Sequence, residues 1–204
     1  MTRTFIIVVT ILLLAGCGGG ITAGKKVNYD DLIDSGWEKY NQRAYDEAYQ
    51  IFVSTRKSDS TRPEAYIGCG WTLLKRQHPD SAVVVFRAGY EYITTLNDSV
   101  DTLCGLSGSY LANGENAKVV DLFKQRGVDD YESSFPLKKH DFFLDEVDLE
   151  MVQALALYRM GLYSSAESED PDNAVYHVNL VTLTPYEYTD PQTLLAKIEE
   201  LRDK

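Results

Sequence analysis

Apolar and small residues recur along this chain at a fixed interval. Shifted by 34 places, Gly36 falls on Gly70, Ala48 on Ala82, Phe52 on Phe86, Ile33 on Ile67 and Trp37 on Trp71. Within each interval the apolar positions follow the three-to-four spacing of an amphipathic helix, interrupted by turn residues. The pattern predicts paired helices in a first unit from Tyr29 to Arg62, its second helix opening at Tyr45-Asp46-Glu47-Ala48, and a second unit from Pro63 to about Asn97. Pro63 and Pro79 suit the first turns of that unit's two helices. After a slip of three residues a third unit starts near Val100, where Leu103, Leu106, Tyr110, Gly114 and Phe123 keep the pattern while Ser107 and Val119 replace the small Gly and Ala. The pattern lapses between Gln125 and Asp145. A fourth unit resumes near Val147 with Leu155, Tyr158, Gly161, Tyr163 and Ala166, its second helix cut short by Asp170-Pro171-Asp172-Asn173. The segment from Ala174 to Thr184 has a mixed period, compatible with an extended chain, and assigns no element. Asp190-Pro191 then reads as an N-cap followed by a helix with Leu194, Leu195, Ile198 and Leu201 on one face.

A period of 34 with Gly36, Tyr45, Ala48, Phe52, Gly70, Ala82, Phe86, Tyr110, Phe123, Tyr163 and Ala166 as packing residues resembles the tetratricopeptide repeat. The resemblance covers residues 29 to 123 well and 147 to 167 moderately. It implies an all-α fold: a right-handed α-solenoid of helix-turn-helix units closed by a C-terminal capping helix, whose polar side carries Lys197, Glu199, Glu200 and Arg202. Peptide-binding members line a groove with their first helices. Carried over by register, the groove candidates are Ile33, Trp37, Tyr40 and Asn41 in the first unit, and Ile67, Trp71, Leu74 and Lys75 in the second. Trp37 and Trp71 are the only tryptophans. Their spacing serves either a broad binding surface or packing against neighbouring helices. Asp30, Glu64, Asp101 and Asp148 occupy the second place of the four units, where acids either form a rim for basic segments or answer the helix macrodipole.

The front of the chain has a different pattern. Arg3 precedes an apolar run from Phe5 to Leu14, too short to span a bilayer and of signal-peptide length. Leu14-Ala15-Gly16-Cys17 resembles a bacterial lipobox, which implies lipidation of Cys17 after removal of residues 1–16. Residues 17–28, opening with Gly18-Gly19-Gly20, then form a flexible tether. The remaining divisions are three repeats over 29–124, an irregular connection over 125–146, and a partial fourth repeat with the capping helix over 147–204. Stable anchoring takes more than one acyl chain, as bacterial lipoproteins carry. Gly18, where an Asp would favour inner-membrane retention, favours the outer membrane facing the periplasm.

Charge narrows the partners. The formal charge of −11 becomes −12 when the leader and its Arg3 are removed. Such acidity argues against nucleic acid, whose phosphates require clustered Lys and Arg, and against a broad electrostatic hold on anionic lipid. Membrane contact is expected through the lipid alone. Cys69 and Cys104 either pair or act as small buried hydrophobes.

Little points to catalysis. His78, His140 and His177 lie far apart without metal-ligand spacing. Gly105-Leu106-Ser107-Gly108-Ser109 lacks the final Gly and the preceding strand of a nucleophile elbow. Asp145, Glu146, Asp148 and Glu150 lack the spacing of a calcium loop. No metal, cofactor or catalytic residue is expected. The expectation is a membrane-anchored scaffold or adaptor that binds a protein or peptide of a bacterial envelope assembly, with its oligomeric state open. The alternative is a periplasmic ligand-binding or peptidoglycan-related module, with or without enzymatic activity, that uses the irregular C-terminal segments.

Overall fold

The computed structural model describes residues 28–126, 146–164, 166, 169–182 and 185–202. Among them the chain is all-helical: α1 Tyr29–Asn41, α2 Tyr45–Ser58, α3 Pro63–Lys75, α4 Pro79–Tyr90, α5 Leu96–Ala112, α6 Asn116–Arg126, α7 Glu146–Arg159, α8 Ala174–Val181 and α9 Pro191–Arg202. Each helix packs on the next from α1 to α5, α5 on α6, and α6 on α7, while α8 and α9 both pack on α7. Alternate helices α1, α3, α5 and α7 also touch in sequence. This arrangement is compatible with a helical solenoid.

A recurring wedge holds the first units together. Phe52 and Phe86, on α2 and α4, are fully buried. Each ring lies between glycines of the two flanking helices. Phe52 meets Gly36 of α1 and Gly68 of α3, and Phe86 meets Gly70 of α3 and Gly105 of α5. A β-carbon at Gly36 or Gly70 would lie 2.5 Å from the ring, well inside van der Waals contact, and one at Gly68 or Gly105 would clash with it too. The glycines therefore let three helices close around one aromatic ring. Asp34 stands one period before Gly68, and it is exposed. Among the described residues no earlier unit precedes α1 to send a ring there.

The turns inside the units also repeat. Arg43 and Gln77, 34 residues apart, have φ of 61°, while Gly114 and Gly161 have φ of 73° and 77°. Behind them the same closure occurs four times: Ala44 N–H to Lys39 O at 2.9 Å, His78 to Leu73 at 2.9 Å, Glu115 to Tyr110 at 2.8 Å and Leu162 to Leu157 at 3.0 Å. This is the Schellman geometry, in which a left-handed residue lets the chain satisfy the last helix carbonyls and reverse. The four units thus share one register, with spacings of 34, 37 and 47 residues.

Several boundaries differ from the sequence expectation. α5 begins at Leu96 rather than near Val100, because Thr95 caps it: its side chain accepts from the Asp98 N–H at 3.2 Å. Gln125 and Arg126 complete α6 instead of opening a connection. In the fourth unit, Tyr163 and Ala166 were expected on a second helix. Neither is helical: Tyr163 follows the turn after α7, and residue 166 lies in an exposed turn. The physical reason is the missing wedge, since the place of Phe123 is taken 47 residues on by Asp170, which cannot drive a second helix into a core. Helix resumes at Ala174, where the Asn173 side chain accepts from Val175 N–H at 2.9 Å, so the mixed-period segment is helical over Ala174–Val181. α9 follows its predicted cap, with Asp190 Oδ1 accepting from Gln192 N–H at 2.8 Å and Thr193 N–H at 3.0 Å. Leu194, Ile198 and Leu201 are buried in a cluster with Met151, Ala154, Leu155 and Leu157 of α7.

Gly68→Ala and Gly105→Ala should each cost about 1–3 kcal/mol, the range for overpacking a closed core, whereas Asp34→Ala should change stability by less than about 0.5 kcal/mol. Urea denaturation followed by circular dichroism distinguishes these cases.

Candidate functional site

The register places the candidate groove residues on α1 and α3, but mostly inside. Ile33, Trp37, Tyr40, Ile67 and Trp71 belong to one buried cluster, Trp37 being 4 % and Trp71 9 % exposed. Asn41 and Leu74 are half-buried and Lys75 is exposed. The tryptophans do not form the broad open surface that their spacing allowed. They back the wedges: Trp37 meets Phe52 edge-on at 5.3 Å and Tyr40 at 5.2 Å, and Trp71 meets Phe86 edge-on at 6.0 Å. Each follows directly the glycine that its own unit's phenylalanine presses against, so one helical step carries it to the side of that ring.

Polar contacts link these helices to their neighbours. The Trp71 indole N–H donates to Asp101 of the next unit. Arg62, in the connection before α3, reaches Asp30 at 3.0 Å and Glu64 at 2.8 Å, and its guanidinium lies 3.9 Å over the Tyr29 ring. Its hydrogen bond to Glu64 is the leading reason that its charge is held more firmly than an ordinary arginine's. Burial, followed by the charges of Tyr45 and Asp101, pushes the Tyr40 hydroxyl well above the usual tyrosine range. Trp37, Glu64, Ile67, Asp98 and Asp101 line a cleft of about 30 Å³, which holds roughly one or two waters. The face is therefore an acidic, aromatic-backed surface rather than a preformed ligand pocket.

Other candidates are placed apart from it. Cys17, residues 18–27 of the tether, His140 and residues 127–145 of the irregular connection lie outside the described residues. His78 is exposed at the start of α4. His177 of α8 is buried, with Nδ1 2.5 Å from Glu150 Oε2 and Nε2 2.8 Å from the Pro171 carbonyl. A carbonyl only accepts, so Nε2 donates, and the imidazole ties α7, α8 and the loop before α8 together. Glu150 thereby faces inward. Among the described residues no group of three His, Cys, Asp or Glu is placed to hold a metal ion, and no helix is long and apolar enough to cross a membrane. No family model, no curated protein and no solved structure matches this chain.

Sequence reasoning missed Gly68, Gly105 and Arg62. Gly105 follows Gly68 by the same 37 residues that separate Gln77 from Gly114, so register could have found it. Arg62 carries no periodic signal, because its partners come from two units.

Cys69 and Cys104 are buried free thiols rather than a disulfide. Burial pushes Cys69 up to about 12 and Cys104 well above the ordinary thiol value. Protonated thiols favour the folded state, so this contribution is complete below the unfolded thiol value of about 8.5 and is lost as pH rises toward 12. Stability should fall across that window by up to about 1.4 kcal/mol per pH unit for each thiol, less steeply in Cys69→Ala. Urea midpoints measured between pH 8 and 11 check this, and iodoacetamide should label neither thiol before unfolding. Trp37→Ala and Trp71→Ala should each cost about 3–5 kcal/mol, read as a large drop in melting temperature rather than a loss confined to surface binding.

Proposed function

We propose that this protein is a lipid-anchored tetratricopeptide-type scaffold, right-handed in its stacking, that docks a protein partner in a bacterial envelope assembly. The observation carrying this reading is the fourfold repetition of one hairpin closure in consecutively packed helix pairs. Repeats of this kind build long continuous faces whose usual use is protein recognition. The anchor rests on the lipobox-like Leu14-Ala15-Gly16-Cys17 and the glycines that follow it. The outer membrane facing the periplasm is the location that Gly18 favours.

The docking face is the row of first helices α1, α3, α5 and α7. Its core-backed rings make it rigid, so partner residues would meet a surface with little ordering left to do. Asp30, Glu64, Asp101 and Asp148 recur there in register, at spacings of 34, 37 and 47 residues, and Asp98 joins them. An acidic row prefers a basic segment. It is unlike the Lys, Asn and Arg clamp of chaperone-adaptor members, so an acidic C-terminal tail is not the expected ligand.

The test is affinity capture of full-length protein from detergent-solubilised envelope, comparing the parent with Asp30→Lys. Asp30 is exposed and its ion pair to Arg62 is worth about 1 kcal/mol at most, so the variant should stay folded. A stoichiometric protein captured by the parent and depleted several-fold by Asp30→Lys is the expected result. Capture of nothing by the parent would overturn the scaffold reading. In parallel, Cys17→Ser should abolish labelling by radioactive palmitate and release the protein from membranes.

A further inference from the structure

A second concavity lies between α6 and the turn that follows α7. It has a volume of about 350 Å³ and is lined by Ala117, Val120, Asp121 and Lys124 on one side, and by Leu157, Met160, Leu162, Asp170 and Asp172 on the other. That volume lies in the range of sites that accept a small molecule or one or two large side chains. None of these residues lines the Trp37–Asp101 cleft.

The walls are built rather than loose. Ala117, Val120, Asp121 and Lys124 fall at i, i+3, i+4 and i+7, one face of α6. Opposite, Met160 N–H reaches Ala156 O at 3.1 Å, Leu162 closes the Schellman turn, and Leu162 O accepts from Ala174 N–H at 3.0 Å. The loop carrying the acids is held by Asp172 N–H to Asp170 Oδ1 at 2.9 Å and by the buried His177, which bonds Pro171 O at 2.8 Å. Lys124 straps the two sides together through Asp172 at 2.5 Å.

Two features point to an occupant. Met160 and Leu162 are each 41 % exposed, which places two of the large exposed apolar side chains in one cleft. Clustered apolar exposure marks interaction surfaces, and methionine adapts to varied shapes. The charge is unbalanced as well. Among the described residues that line the cleft, Asp121, Asp170 and Asp172 face one cation, Lys124, whose charge Asp172 already answers.

We propose that this cleft is a separate docking site for a basic, apolar-flanked peptide segment. An arginine or lysine would lay its aliphatic stem, with an adjoining apolar residue, on Met160 and Leu162, and bring its cationic head to Asp121 and Asp170. Long cationic side chains combine these two surfaces, and the uncompensated carboxylates select the sign of charge. The proposal rests on the protein-binding reading only in taking a peptide as the occupant.

The test uses the full-length chain in detergent, labelled with ¹³C at its methionine methyl groups. The chain has three methionines. Met160 reports the cleft, and Met151, which is fully buried, reports the fold. Titration with the peptide acetyl-Leu-Arg-Leu-Arg-Leu-amide should shift the Met160 methyl signal and leave Met151 in place. The same peptide with Glu for Arg should shift neither. Asp121→Asn with Asp170→Asn should weaken the basic peptide about tenfold, since asparagine keeps the oxygen that accepts from Asp172 while removing the charge; an unmoved Met151 signal shows that this variant is folded.

A stationary Met160 signal, equal shifts from the basic and acidic peptides, or unchanged affinity in the Asn variant would each overturn the proposal. So would equal binding of free argininamide, which would make the cleft a small-cation site. Envelope capture that depends on Asp30 while Met160 fails to respond would overturn this cleft and leave the scaffold reading standing.

Discussion

Three helices cannot approach one another closely around a benzyl ring unless two of them lack β-carbons where the ring enters. That constraint organises the first half of the molecule. Phe52 is enclosed by Gly36 and Gly68, and Phe86 by Gly70 and Gly105, so each ring joins the two helices of its own unit to the first helix of the next. The tight crossing then determines what its neighbours can do. Trp37 and Trp71 are carried against the rings and become core, and α1, α3 and α5 come near enough for Arg62, between Asp30 and Glu64, and for the Trp71–Asp101 bond to link one unit to the next.

The end of the array shows what happens without the wedge. Beyond α6 the ring position is Asp170, and Asn173 starts a short helix that packs on α7 alongside α9. α7 consequently serves two cores, with Leu149 and Ala156 in the first cluster and Met151, Ala154, Leu155 and Leu157 in the second. The displaced chain between α7 and α8 forms one wall of the larger cleft, where exposed Met160 and Leu162 meet a surplus of carboxylates. The irregularity of the fourth unit and the cleft beside it thus share one origin, the loss of an aromatic at the register position.

The helices were legible because their signals are local. Pro63 and Pro79 at first turns, Asp190 at a cap, and apolar residues at helical spacing each act within a few residues, and α1 to α4 begin where these signals place them. α8 was not legible, because a short stretch of mixed period, with His177 and Asn179 among its apolar residues, reads equally well as strand or helix until α7 supplies the surface that covers it. The wedge was half legible. Gly36 and Gly70 recur at one period, while Gly68 and Gly105 repeat only after the slip of three is applied, and their need for smallness arises from a ring on another helix. The candidate site was less legible still, because a tryptophan at a groove place and one at a core place look identical along the chain.

The sequence by itself determined that this protein is helical, repetitive and acidic, since composition, turn residues and periodicity are properties of the chain alone. Tertiary structure decided which face of each first helix is buried, that the two thiols remain apart and protonated, and that Glu150 and His177, 27 residues apart, meet in the interior. It also decided where acids outnumber cations around apolar side chains. These outcomes depend on which residues from different helices meet. That is set by the closeness of the helix crossings, and those crossings are fixed by the space that a missing β-carbon leaves for a ring.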